Sequence, residues 1–342
     1  MKFENLLRIG KNNIDHVYDI LAEYGAHGKI LLLTEPFIDG LFGEKVKSQV
    51  SRLGELKISY VEDNSITFAM SMAEKVISDD IDIIVGLGGG RILDVCKYAA
   101  HISSRALVSI PTTMANDGIA SPVSVLQKRD GKPKSLVCRI PDVIIVDTVL
   151  IKDSPAQLIK AGIGDILSNH MALMDWKFAD KSGKDKMNDF AYLMSKASLD
   201  SLLNTNYDHI CPEFINQLAD SLVLSGLAMD FAGSSRPSSG SEHLFSHALD
   251  HYCQTRNLHG IQVALGTVAV SRLVGINCDH IVEFLKRFEV DINPASIGIS
   301  KPDFVNCMQR AVTMRNRYTH LSVADLSAPT LEQLYDRLCA EL

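Results

Sequence analysis

The sequence predicts an α/β N-terminal domain with a parallel sheet, followed by an all-α C-terminal domain. Two observations lead to this division. Up to about residue 150, short and continuously apolar runs alternate with stretches of helical periodicity, as in strands that are buried on both faces of a parallel sheet. Beyond that point the strand signals stop and the helical periodicity continues. We therefore place the two domains at residues 1–151 and 152–342.

The first domain contains five expected strands, at residues 29–34, 56–61, 81–87, 106–110 and 143–146. Helical stretches such as residues 65–78 and 94–101 lie between the earlier strands. Strands that alternate with helices in this way form parallel sheets with helices on both faces. Residues 123–139 interrupt the alternation with a turn sequence around Gly131, which predicts a β-hairpin.

The second domain shows the 3.6-residue periodicity of apolar positions that is typical of helices. Its expected helices cover residues 155–174, 186–203, 214–231, 242–253, 261–273, 280–288, 303–317 and 330–342. The chain contains no internal repeat and no low-complexity linker between the two domains. A cleft between two domains is a common ligand site, and we expect the ligand there.

Composition and charge exclude several classes of function. The chain has 342 residues, 46% of them hydrophobic, and a formal net charge of −7, which disfavours non-specific binding to nucleic acid or to an anionic membrane. No apolar run reaches the roughly 18 residues that a membrane span needs, and residues 1–10 lack the features of a signal peptide. The seven cysteines include no CxxC pair, which is typical of reduced thiols. We therefore expect a cytoplasmic protein.

A glycine-rich segment follows the third expected strand and opens a helix. It contains Gly88, Gly89 and Gly90, with Asp94 four residues later. Consecutive glycines let the backbone approach a phosphate without an intervening β-carbon, and the helix N-terminus behind them favours an anion. The pattern differs from the usual GxGxxG fingerprint, and a plain strand–helix turn is the alternative. We interpret the segment as a pyrophosphate-binding loop, and hence the first domain as a dinucleotide-binding domain.

Short polar side chains are concentrated after the fourth expected strand. They are Thr112, Thr113, Asn116, Asp117 and Ser121. Open α/β sheets bind their ligands at the carboxyl ends of their strands. This segment is therefore a second candidate for ligand binding, and a capped turn without a ligand is the alternative.

Histidines in the second domain suggest a metal site. His243 and His247 are four residues apart, so on a helix both imidazoles leave the same face. His259 follows on the next segment, and Asp165 stands behind two glycines in an earlier helix. Imidazoles together with a carboxylate suit a divalent transition metal, and one Asp with two His leaves an open coordination position. The alternatives are surface histidines and an aspartate that caps a helix.

Taken in order, these segments resemble the sn-glycerol-1-phosphate dehydrogenases. This family belongs to a superfamily with the iron-containing alcohol dehydrogenases, glycerol dehydrogenases and dehydroquinate synthases, and the resemblance covers nearly the whole chain. The glycine motif of residues 88–97 is shared across the superfamily and is moderately specific. Residues 117–122 (DGIASP) and 239–250 (SGSEHLFSHALD) are more specific to the glycerol-1-phosphate branch. The chain departs from the family at Ala115, where the family often has serine.

The resemblance implies a metal-dependent reduction of dihydroxyacetone phosphate to sn-glycerol 1-phosphate by NAD(P)H, and hence a role in phospholipid biosynthesis. The residues that it assigns to the phosphates and ribose of the cofactor are Gly88, Gly89, Gly90 and Asp94. Further cofactor contacts are assigned to Thr112, Thr113 and Ser121. The resemblance also implies a homo-oligomer, for which no helical face of this sequence identifies the interface.

The resemblance assigns a divalent metal to Asp165, His243 and His259. Zinc is the expected ion, with Ni²⁺ or Fe²⁺ as alternatives. Asp117 and His247 are assigned to the substrate, so the family pattern replaces the His243–His247 ligand pair that spacing alone suggests. The metal would polarise the ketone oxygen, and His247 or an ordered water would deliver the proton.

Other functions fit parts of the same pattern. A dehydroquinate synthase-type cyclase would need many Lys and Arg residues around its substrate, and the second domain has no such cluster near its histidines. A reductase of another small phosphorylated, phosphonylated or unphosphorylated ketone would carry the same motifs. A binding protein without activity is disfavoured because the expected ligands and the glycine loop are all present. Two residues keep two interpretations each. Arg236 is either a ligand of the substrate phosphate or a surface residue. Glu35 is either a ligand of the cofactor ribose, which would favour NAD over NADP, or an exposed charge.

Overall fold

The computed structural model describes residues 6–253 and 257–342, and the chain divides into two compact units. One unit comprises Met1–Ala156 and Cys211–Gly226, and the other comprises Gln157–Ile210 and Leu227–Leu342. Residues 1–5, which belong to the predicted first domain and to the segment without signal-peptide features, lie outside the described residues. The domain division after residue 151 stays a prediction.

The first unit is built around a six-stranded sheet. Its strands are β1 (Leu6–Gly10), β2 (Gly28–Thr34), β3 (Gly54–Tyr60), β4 (Ile83–Gly88), β5 (Ala106–Pro111) and β8 (Val143–Asp147). They lie in the order β1-β8-β5-β4-β2-β3 and all neighbours run parallel. Between β5 and β8 the chain forms an antiparallel hairpin of β6 (Val123–Gln127) and β7 (Pro133–Val137). The parallel sheet, its five expected strands and the hairpin are confirmed, whereas β1 was not predicted.

Helices cover the sheet of the first unit. They are α1 (Val17–Glu23), α2 (Pro36–Ile38), α3 (Glu44–Val50), α4 (Ile66–Ser78), α5 (Gly90–Ser103) and α6 (Thr148–Lys152). The start of α4 is capped by Ser65, whose side-chain oxygen accepts a hydrogen bond from the Phe68 N–H at 3.0 Å. Buried apolar residues of α4 and α5, such as Ala73 and Val95, form one core with Leu33 and Ile84 of the sheet.

The remaining described chain is helical. Its helices are α7 (Ala156–Lys181), α8 (Asp189–Leu203), α9 (Pro212–Ala232), α10 (Ser241–Tyr252), α11 (His259–Val274), α12 (Asp279–Arg287), α13 (Lys301–Ala311) and α14 (Ala328–Glu341). The all-α character of the C-terminal part is confirmed. Two predicted ends are wrong: α7 continues to Lys181 instead of residue 174, and α13 ends at Ala311 instead of residue 317. Within the two described ranges, no helix combines the length and apolar character needed to cross a bilayer.

Candidate metal centre and cofactor loops

Asp165, His243 and His259 come together within the helical unit. They lie on α7, α10 and α11, and one ligand atom from each is within 4.8 Å of the others. The Nε2 atoms of His243 and His259 are 3.1 Å apart, and His259 Nε2 is 3.8 Å from Asp165 Oδ1. The structure therefore brings together the three residues that the resemblance assigns to the metal.

Two glycines allow α7 and α11 to approach closely at this point. A β-carbon added to Gly164 would overlap the carbonyl oxygen of Gly260, and one added to Gly260 would overlap that of Ala161. Gly164 precedes Asp165 and Gly260 follows His259. The absence of β-carbons at both positions thus sets the short separation between the carboxylate and the imidazole.

Hydrogen bonds orient both imidazole rings. His243 Nδ1 lies 2.8 Å from Glu242 Oε1, and His259 Nδ1 lies 3.2 Å from Ser246 Oγ. The Ser246 hydroxyl donates to Gln262 Oε1 at 2.6 Å, so its oxygen is an acceptor for the His259 Nδ1–H. In the tautomers with both protons on Nδ1, the lone pairs of the two Nε2 atoms face each other, whereas a proton on either Nε2 would form a hydrogen bond between the rings. Two lone pairs 3.1 Å apart repel each other unless they share a cation.

The protonation of this cluster also suits a metal. Burial, followed by the positive charge of Arg315, lowers the pKa of His243 to about 3. Burial is the largest cause that lowers the pKa of His259 to about 3, and the electrostatic effect of His243 is the second. Both imidazoles are therefore neutral near pH 7, as metal ligands must be. Two neutral imidazoles and a buried carboxylate make a donor set that fits a divalent transition metal with one coordination position open.

His247 lies one turn beyond His243 on α10. Its ring centroid is 6.3 Å from that of His243, whereas the His259 centroid is 4.8 Å from it. Its Nε2 is buried and has no hydrogen-bond partner among the residues that the structure describes. Burial, followed by the charge of Arg315, holds the pKa of His247 well below its usual value. His247 thus offers a neutral imidazole beside the cluster, with one nitrogen available to a ligand.

A buried aspartate that sequence reasoning missed anchors the start of α10. Asp175 is fully buried on α7, and its Oδ2 accepts the Ser241 N–H and hydroxyl, each at 2.6 Å. Its Oδ1 accepts the His320 N–H and lies 2.7 Å from His320 Nδ1. A β-carbon on Gly240 would lie 2.5 Å from Asp175 Oδ2. The turn before His243 is therefore fixed to α7 by contacts that no local pattern reveals.

In the first unit, the glycine loop joins β4 to α5. Gly88 ends β4, Gly89 is the N-cap of α5 and Gly90 is its first residue. A β-carbon on Gly88 would lie 2.9 Å from Ile92 Cβ, whereas one on Gly90 meets no described atom within 4 Å. Gly88 is therefore needed for the packing of α5 on the sheet, and the space beside Gly90 is open.

The second loop follows β5, the neighbour of β4. The Thr112 N–H donates to the Gly88 carbonyl at 3.0 Å, and a β-carbon on Gly89 would lie 3.1 Å from Thr113 Oγ1. Thr112 Oγ1 is buried without a hydrogen-bond partner in the described part of the chain. Thr112 and Thr113 thus lie directly against the glycine loop at the carboxyl edge of the sheet.

A buried lysine that we did not single out connects α5 to this second loop. Lys97 Nζ lies 3.0 Å from Asp94 Oδ1, donates to the Gly118 carbonyl at 2.9 Å, and also donates to the Val123 carbonyl. The Lys97 side chain is 1% exposed. Burial raises the pKa of Asp94, and the charge of Lys97 opposes this shift. The pattern of glycines and Asp94 contains Lys97, but its three partners become visible only in the fold.

Of the three other predicted residues of the second loop, Asp117 and Ser121 lie close together, and Asn116 caps the turn, because its Oδ1 accepts the Gly118 N–H at 2.9 Å. The Ser121 N–H donates to the Asp117 carbonyl at 2.9 Å, and Ser121 is buried. Asp117 is half-buried, and its Oδ2 accepts the Ser225 hydroxyl at 3.2 Å. Burial raises the pKa of Asp117 to about 6, although Ser225 and Lys97 favour the charged form.

Arg236, the candidate phosphate ligand, has other partners. Its Nε lies 2.6 Å from Asp185 Oδ2 and its Nη1 donates to the Tyr318 carbonyl at 2.8 Å. The positive charges of Arg315 and Arg317 act on His243 and His247, and Arg317 also donates to the Ser239 carbonyl and to Ser235 Oγ. These two arginines follow α13, in the segment that was predicted to be helical.

Comparison with known proteins identifies relatives along nearly the whole chain. A family model described as iron-containing alcohol dehydrogenase matches residues 8–155. The glycerol-1-phosphate dehydrogenase (NAD(P)+) of Hyperthermus butylicus is 33% identical over 330 residues, which cover 95% of this chain and 94% of that protein. Its namesake from Sulfurisphaera tokodaii is 32% identical over 339 residues and covers 95% of this chain and 93% of its own length.

Solved structures share the fold at lower identity. A probable glycerol dehydrogenase from Sinorhizobium meliloti superposes with a TM-score of 0.78 at 20% identity, covering 99% of this chain and 97% of that chain. Likeness at this level of identity establishes architecture, whereas the family follows from the curated relatives and from the matched model. The chain belongs to the glycerol-1-phosphate dehydrogenase family, within the iron-containing alcohol dehydrogenases.

Proposed function

We propose that this protein reduces dihydroxyacetone phosphate to sn-glycerol 1-phosphate with NAD(P)H and a divalent metal. The observation that carries the proposal is the convergence of Asp165, His243 and His259 on one point, within 4.8 Å of one another. It occurs in a chain whose relatives, along nearly its full length, are named glycerol-1-phosphate dehydrogenase (NAD(P)+).

The residues present fit both groups that this reaction needs. The metal would be held by Asp165, His243 and His259. When bound there, a divalent ion such as Zn²⁺ supplies Lewis-acid polarisation of a carbonyl. The loop at Gly90 and the first turn of α5 would hold the cofactor phosphates, because helix N–H groups and open space coincide there. The nicotinamide supplies the hydride, and the protein supplies position and field. Gly88, Gly89, Asp94, Thr112, Thr113 and Ser121 complete the proposed cofactor contacts.

His247 and Asp117 are the proposed substrate contacts. His247 is neutral and its Nε2 has no hydrogen-bond partner within the described ranges, so it can form a hydrogen bond with the substrate or with an ordered water that delivers the proton to the carbonyl oxygen. Asp117 can accept a hydrogen bond from a substrate hydroxyl. Among the nearby positive charges, that of Arg315 has the largest effect on the pKa of His247, and we assign the substrate phosphate to Arg315 in place of Arg236.

The test is oxidation of NADH and of NADPH by metal-loaded protein, with dihydroxyacetone phosphate compared with dihydroxyacetone. We expect turnover of the phosphorylated ketone that disappears on chelation and in His259→Ala. His251→Ala, which alters an exposed histidine on the same helix as His243, is the matched control and should keep full activity. Turnover of dihydroxyacetone alone would assign the protein to a glycerol dehydrogenase activity. Cofactor binding without turnover of either ketone would refute the substrate assignment.

Light scattering after size exclusion would test the predicted homo-oligomer.

A further inference from the structure

Glu242, the residue before His243, has an arrangement that the proposed reaction does not use. Its side chain is fully buried at the start of α10. One carboxyl oxygen, Oε1, accepts the Gly240 N–H at 2.5 Å and lies 2.8 Å from His243 Nδ1. The other oxygen, Oε2, is buried without a hydrogen-bond partner in the described part of the chain. Burying a carboxyl group is costly unless hydrogen bonds or an opposite charge compensate for the lost hydration.

Metal binding would fix the donor in this pair. When His243 Nε2 binds a metal, the ring proton must lie on Nδ1, and Oε1, which also accepts the Gly240 N–H, lies within reach as its acceptor. The Nε2 atom is then left with its lone pair, and it is this atom that lies 3.1 Å from His259 Nε2. An acceptor on the far nitrogen fixes both the tautomer and the ring orientation of a metal-binding histidine.

We propose that Glu242 is a positioning residue that holds His243 ready for the metal through a hydrogen bond from Nδ1. The inference rests on the metal site of the proposed function. The second imidazole is held differently: His259 Nδ1 faces the Ser246 hydroxyl, which donates to Gln262 Oε1, and Gln262 Nε2 donates to Asp250 Oδ1 at 3.0 Å. One ligand is thus oriented by a buried carboxyl group and the other by a neutral hydroxyl.

The experiment measures Zn²⁺ affinity by competition with a chromogenic chelator, so that no ketone or cofactor is involved. Glu242→Leu removes the acceptor with little change in volume, and we expect it to weaken Zn²⁺ binding by about 10- to 100-fold. Glu242→Gln keeps an oxygen at the same reach and should restore affinity to within a few-fold of the wild type. Urea unfolding of the metal-free proteins shows whether either substitution damages the fold.

Rescue by glutamine separates positioning from a purely structural role. Equal affinity of Glu242→Leu and the wild type would overturn the proposal, and so would a glutamine variant as weak as the leucine variant while its metal-free stability is intact. If Glu242→Leu does not fold, the visible spectrum of Co²⁺-loaded Glu242→Gln decides: a wild-type spectrum supports positioning, and an altered one refutes it. A wild-type protein that binds no divalent metal would instead refute the metal site itself.

Discussion

The glycine loop before α5 allows a paired test, because Gly88 and Gly90 lack a β-carbon for different reasons. In Gly88→Ala, the new methyl group would lie 2.9 Å from Ile92 Cβ, and Ile92 is only 1% exposed. Such overpacking costs about 1–3 kcal/mol of stability. In Gly90→Ala, the methyl group meets no described atom within 4 Å. Because Gly90 is already helical, alanine should raise the free energy of unfolding by about 0.4–1 kcal/mol.

Cofactor affinity should fall in Gly90→Ala, although the stability of this variant should not. If the pyrophosphate lies against the backbone at Gly90, the added methyl group occupies its place. We expect the Kd for NADH or NADPH to rise at least about tenfold, which is roughly 1.4 kcal/mol. Urea unfolding measures stability, and quenching of protein fluorescence or the nucleotide's own fluorescence measures binding. A Gly90→Ala protein that is stable and binds the cofactor as tightly as the wild type would refute the assignment of this loop.

Three further predictions concern buried groups. In the wild type, burial raises the pKa of Asp117 to about 6 from its ordinary 3.8, so the ionisation of this one group lowers the free energy of unfolding as the pH rises from about 4 to 6, by an amount on the order of 3 kcal/mol. Asp117→Asn should therefore be more stable than the wild type at pH 8 and equal to it near pH 4 in urea titrations. Lys97→Met leaves Asp94 without its counter-ion and should lower the free energy of unfolding by about 3–5 kcal/mol, and the double variant with Asp94→Asn should recover part of that loss. In Gly260→Ala, the β-carbon would overlap the Ala161 carbonyl oxygen, so both stability and Zn²⁺ affinity should fall; unchanged Zn²⁺ affinity would contradict the role given to the α7–α11 approach.

The sequence predicts the central strands well because burial on both faces leaves continuous apolar runs. β2, β4, β5 and β8 are runs of this kind, and their residues are almost all buried. β1 lies at the edge of the sheet beside β8, and its residues are mostly half-exposed. Its arginine, Arg8, pairs with Glu23. β1 has only five residues with this charged residue at its centre, so its pattern is too short for periodicity to reveal it.

The predicted ends of α7 and α13 are wrong because polar residues near these ends form hydrogen bonds with residues that are distant in the chain. Asp175 looks like the end of a buried helix, yet its carboxylate accepts hydrogen bonds from Ser241 and His320, which lie far away in the chain. Arg317 looks like part of an amphipathic helix, yet it donates to the Ser239 carbonyl and to Ser235 Oγ. Local periodicity shows only which face of a segment is apolar and therefore packs against the core. It contains no information about such long-range hydrogen bonds.

The histidines show the same limit in the candidate site. Spacing of four residues on a helix singles out His243 and His247, yet their ring centroids are 6.3 Å apart, and the ring nearer to His243 is that of His259, at 4.8 Å. The arrangement depends on Gly164 and Gly260, whose missing β-carbons let α11 approach α7. Glu242 and Ser246 then turn the Nε2 atoms of His243 and His259 towards one point, while His247 Nε2 has no partner in the described chain. Packing, rather than spacing, therefore divides the three imidazoles into two candidate metal ligands and a third ring, which we propose contacts the substrate.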